Sequence, residues 1–148
     1  MSNDPYPETV AEVIDDSLTF KPAVLAALTR FKATHPWRGT LDEQHAKFKA
    51  LHAELCAAYS LNPPPRLVFG NDHASCSGTS CFIPAMNTIV LRGKLSVVTF
   101  LHEFAHARGK GERGAATFSI NLFKRVWPIL FARCSHDGHM LRAPRRGS

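Results

Sequence analysis

Apolar residues recur along this chain in two rhythms: every third or fourth position over most of its length, and short unbroken runs between residues 66 and 92. The first rhythm marks helices and the second marks strands. In "KPAVLAALTRFKA", Val24, Leu25, Leu28 and Phe31 share one face and Pro22 falls near the first turn, which predicts an amphipathic helix. "THPWRG" ends it. In "TLDE", Thr40 and Glu43 can satisfy each other's backbone donors as a capping box, so a second helix is expected over about 41–59, with Phe48, Leu51, Leu55 and Tyr59 on its core face. His45 and His52 lie on that helix and are expected at its surface or rim.

"NPPP" stops the helix, and "RLVFG" reads as a short strand. After the small-residue loop "NDHASCSGTS", "CFIPAMNTIVLRG" supplies two extended runs around "PAMN", a small antiparallel or mixed sheet. Ser96 is placed to cap a helix that starts at Val97, and Gly109 to stop it. A last helix over about 112–131 should be interrupted or kinked near Pro128. The polar, basic tail from about residue 134 is expected to be irregular. Residues 1–16, with Pro5, Pro7 and several acids, read as a flexible lead-in. The pattern predicts the α+β class, with residues 17–148 forming a single domain.

Composition supports a packed chain: 148 residues, 45% hydrophobic, ten phenylalanines and 20% charged residues. No apolar run approaches the ~20 residues a membrane span needs, and the acidic N-terminus lacks the basic start of a signal peptide, so a cytoplasmic location without membrane contact is expected. The net charge of +6 is segregated. Asp4, Glu8, Glu12, Asp15 and Asp16 precede the first basic residue, and residues 17–148 carry +11, from 18 Lys and Arg against seven acids. Such a body could contact nucleic acid or an acidic partner, and the acidic segment could lie across it. Cys56, Cys76, Cys81 and Cys134 are too few and too scattered for a secreted disulfide framework and read as thiols or metal ligands. One metal set would join Cys76 and Cys81 with Cys134 and either His136 or His139.

Sharper chemistry lies in "LHEFAHARGKGERG". His102 and His106 are four apart, one turn along a helical face, so both imidazoles can reach one tetrahedral zinc at ~2.0–2.1 Å. Glu103 adjoins the first of them and is placed to act as general base on a zinc-activated water. A buried glutamate on an otherwise apolar helix would cost several kcal/mol without a cation or proton to answer to, which argues against chance. Zinc catalysis needs a third protein ligand and an open fourth position. Glu112 can supply it, either by way of a turn at Gly109 or from the start of the next helix. His136 or His139 could supply it instead if the tail folds back, and either of these, or Arg113, could donate a hydrogen bond to an oxyanion.

With these residues, the segment from about Leu67 to Pro128 resembles the minimal zincin metallopeptidase domain: a strand hairpin like "CFIPAMNTIVL", an active-site helix like "SVVTFLHEFAHA" and a following helix carrying the third ligand. It is most similar to the ImmA/IrrE type, with SprT-like proteases second. In the ImmA/IrrE type a glutamate directly precedes an Ala-Asn pair, where this chain has Gly114, and Glu112 stands two residues earlier. The resemblance implies a zincin-like fold, a small sheet packed on the active-site helix with helices before and after it. It also implies a zinc endopeptidase of narrow specificity toward a regulatory protein, taking an extended peptide along the strand near Cys81–Pro84 or Thr88–Leu91. The competing expectation is a zincin-shaped binding module with a closed four-ligand zinc that includes a tail histidine, docking on nucleic acid or an acidic partner.

Overall fold

A computed structural model of the chain describes residues 5–70 and 79–144. It is mixed α and β, and the chain gathers into two compact units. One is the continuous stretch Thr19–Leu95, and the other joins Met1–Leu18 to Ser96–Ser148.

In the continuous unit, helix α1 (Pro22–Ala33) opens with proline at its first position and buries Val24, Ala27, Leu28 and Phe31, with Leu25 half-exposed. Helix α2 (Leu41–Ala58) begins at the expected capping box: the Thr40 hydroxyl accepts from the Glu43 amide at 3.1 Å, and the Glu43 carboxylate accepts from the Thr40 amide at 3.2 Å. Phe48 packs edge-on against Phe31, ring centres 5.0 Å apart, and Arg30 pairs with Glu54. His52 departs from expectation. It is buried, and its Nε2 donates to the Pro65 carbonyl at 2.7 Å. Burial lowers its pKa, against the raising effect of that hydrogen bond.

Strands β1 (Arg66–Phe69), β2 (Cys81–Ile83) and β3 (Thr88–Leu91) form a mixed sheet in the order β1-β3-β2. β1 runs parallel to β3, pairing Leu67 with Ile89, and β2 runs antiparallel to it, pairing Phe82 with Ile89. The central strand is buried at every position, so its apolar run "TIVL" needs no alternation. Asn87, at φ 47°, turns the chain from a short 3-10 turn (Pro84–Met86) into β3. Cys81 is disulfide-bonded, which corrects its reading as a thiol or metal ligand, because a sulfur tied to another sulfur has no thiolate to offer. Cys56 and Cys134 are free, and Cys76 lies outside the described residues.

In the discontinuous unit, helix α3 (Val97–Ala107) is capped by the Ser96 hydroxyl, which accepts from the Thr99 amide at 3.2 Å. It packs along helix α4 (Glu112–Val126) and buries Val97, Phe100, Leu101, Phe104 and Ala105. The expected interruption falls at Trp127, after which Pro128 opens helix α5 (Pro128–Arg133). The tail is not irregular: β4 (Ser135–Asp137) and β5 (Met140–Arg142) form a hairpin that turns at Gly138, φ 59°.

Of residues 1–16, expected as a flexible lead-in, the described part, 5–16, is held in this unit. Val10 and Val13 are 0% and 4% exposed, each burial stabilising by about 1.5–3 kcal/mol. The Val10 amide donates to the Gly138 carbonyl at 3.0 Å, and the Asn121 side chain bridges the Val13 carbonyl and the Asp15 amide at 2.7 and 2.8 Å. Within this unit the acids do meet bases, Glu12 with Arg113 at 3.2 Å and Asp16 with Lys124 at 2.5 Å. Among the described residues, no helix is long and apolar enough to cross a membrane.

Candidate metal centre

The cluster starts from how α3 ends. Gly109 adopts φ 88°, a left-handed conformation that an L side chain resists, and no neighbouring atom lies within 4 Å of where a Cβ would stand. The turn is a Schellman motif: the Lys110 amide donates to the Ala105 carbonyl at 3.0 Å, and the Gly109 amide to the His106 carbonyl at 2.9 Å. It aims the Lys110 carbonyl at the His106 ring, 2.8 Å from Nδ1. A carbonyl only accepts, so Nδ1 donates to it, and Nε2 is the nitrogen turned toward the cluster.

Two residues beyond Lys110, Glu112 begins α4 and directs both carboxylate oxygens back at the histidines. One stands 2.8 Å from His106 Nε2, the other 3.4 Å from His102 Nε2, and the two Nε2 atoms are 3.1 Å apart. With one ligand atom from each residue, the three atoms lie within 4.8 Å of one another, a spread that a single metal ion can gather. Three acceptor groups pressed so near each other call for a cation among them, a shared proton or a metal. Burial lowers the pKa of His102 first, then the neighbouring His106, against the raising effect of Glu112, with His139 also lowering it. Among the described residues, His102, His106 and Glu112 are the group of histidine, cysteine and acid side chains that can share one ion.

A cleft of about 190 Å³ opens beside the trio, lined by His102, Glu103, Thr99, Ile120, His139 and Tyr6 among others. Glu103 thus faces the same space as the first histidine. Of the tail histidines, His139 lines the cleft, whereas His136 is exposed on β4 with its ring 5.9 Å from that of Phe131. Arg113 points elsewhere, into its ion pair with Glu12. A second notch, of about 250 Å³, lies beside Asp16 and Arg125, but its charges are already engaged, Lys124 with Asp16 and Arg125 with the Leu18 carbonyl.

The cleft also holds a residue that the sequence did not single out, a tyrosine from upstream of the histidines. Tyr6 lies nearly parallel to the His102 ring at 6.1 Å and tilted on His139 at 4.6 Å. Burial, then hydrogen bonding and charge from Glu112 and the charge of Glu103, hold its pKa well above the ordinary tyrosine value, so it stays a donor.

No protein-family model, curated protein or solved structure matches the chain.

Proposed function

We propose that this protein is a zinc-dependent metallopeptidase of zincin-like build, an endopeptidase of narrow specificity toward a regulatory protein. The observation that carries the reading is the convergence of His102, His106 and Glu112 within reach of one metal ion, with Glu103 lining the adjoining cleft. His102, His106 and Glu112 would hold the metal, which when bound acidifies water and polarises a carbonyl. Glu103 takes the proton from the attacking water and returns it to the departing amine. His139, across the cleft, donates to the oxygen on which charge develops. The Lys110 carbonyl keeps His106 in the tautomer that ligation requires.

The competing binding-module reading requires a fourth protein ligand from the tail. Among the described residues three side chains converge and neither tail histidine joins them, which favours an open site. The test is zinc content together with cleavage of a diverse peptide library. Wild type should hold about one zinc per chain and cut a narrow set of sequences, and Glu103→Gln should keep the metal and lose cleavage. Wild type without zinc, or a Glu103→Gln variant that cuts at the wild-type rate, would overturn the proposal.

A further inference from the structure

We infer that Tyr6 is an autoinhibitory plug: its ring occupies the part of the cleft, beside His102 and His139, that a substrate side chain must enter. The chain thus folds into a restrained form, which opens when the ring swings out. The inference rests on the metallopeptidase reading above and adds the regulation of that same site.

Three observations carry it. The Tyr6 ring lines the cleft, within 11° of parallel to the His102 ring at 6.1 Å and 4.6 Å from the His139 ring. It therefore stands over one candidate ligand and against the residue assigned to the developing oxyanion. With the ring in place the cleft measures about 190 Å³, below the roughly 300–1,000 Å³ of pockets that enclose a ligand. Lastly, the segment is fastened behind the ring. Pro7, Val10 and Val13 are buried, the Val10 amide donates at 3.0 Å to the carbonyl of Gly138, next to His139, and Glu12 pairs with Arg113. Tyr6 lies beyond these ties and is 50% exposed, so a change of rotamer takes its ring out of the cleft while Val10 and Val13 stay docked. A peptide carrying an apolar side chain can take the ring's place, and one without such a side chain must work against it, which narrows the set of sequences cut.

The test uses the zinc-loaded full chain, wild type and Tyr6→Ala, with two hydroxamates as probes of the metal. Acetohydroxamate brings only a methyl group, whereas a benzyl-substituted hydroxamate brings a ring that needs the place Tyr6 holds. Tyr6→Ala should bind the benzyl probe about 3–10-fold more tightly, the size of one aromatic packing contact, and should bind acetohydroxamate and zinc as wild type does. In wild type, the benzyl probe should shift the Tyr6 ring resonances toward their solvent positions, which are readily followed because the chain has two tyrosines. Equal affinity of both proteins for the benzyl probe would overturn the inference, as would Tyr6 resonances that do not move when that probe binds wild type. Weaker binding by Tyr6→Ala would also overturn it, by making the ring a wall that grips the ligand. Each of these results leaves the metal site standing, with acetohydroxamate binding to report it. Wild type that takes up no zinc would remove the metal reading itself, and this inference with it.

Discussion

Replacing Gly109 by alanine probes the turn that joins both halves of the ligand set. At φ 88° an added Cβ meets no atom within 4 Å, so the substitution brings backbone strain without a clash. Forcing an L residue into the left-handed region costs about 1–2 kcal/mol, and the stiffer unfolded chain returns about 0.4–1 kcal/mol of it. If the turn keeps its shape, the net cost of about 1 kcal/mol appears as lost stability, a melting temperature lower by about 2–4 °C. If the turn relaxes instead, the Lys110 carbonyl leaves His106 and Glu112 shifts with it. The cost then moves to metal binding, where about 1 kcal/mol raises Kd roughly fivefold. Denaturation of the metal-free protein and a zinc competition titration measure the two parts, and their sum should come to about 1 kcal/mol. Gly93→Ala is the control. Gly93 has φ 65°, the same open surroundings and no cluster residue in its turn, so it should lose stability and keep its zinc affinity. A sum near zero at Gly109, or an equal loss of affinity from Gly93→Ala, would refute the argument.

Two further outcomes follow from the continuous unit. His52 has a folded-state pKa below its ordinary 6.5, so the unfolded chain takes up the proton first and stability falls as pH drops below about 6.5; His52→Gln, which keeps a donor for the Pro65 carbonyl, should flatten that acid limb in urea titrations at pH 7.5 and 5.5, and an unchanged limb would discount His52. Cys56 and Cys134 should alkylate on unfolding without reductant and Cys81 only after reduction; early labelling of Cys81 would contradict the disulfide.

What the sequence disclosed was local. Thr40 with Glu43, Ser96 as cap, Gly109 as stop and the four-residue step from His102 to His106 each depend on neighbours within one or two turns, and each stands where its spacing put it. Glu112 was within reach for the same reason, only six residues past His106. His52 could have been placed too, because its four-residue spacing from Phe48 puts it on the buried face, although residue type argued for the rim. The tail hairpin carried a signal in Gly138, a glycine at the first position of a two-residue turn, and it was outweighed by the polarity of the segment. Tyr6 had no such handle. Its meeting with His102 depends on packing between the two ends of the discontinuous unit, which periodicity along the chain does not encode.

That discontinuity bears on the order in which the centre matures. The trio closes over ten residues, from His102 to Glu112, and needs only the α3–α4 corner to have emerged from the ribosome. The N-terminal segment must close across 108 residues, from Val13 to Asn121, before it can fasten. Short closures are quicker than long ones. A nascent chain therefore passes through an interval in which His102, His106 and Glu112 can already meet while the N-terminal segment, with Tyr6, has yet to close over the cleft beside them.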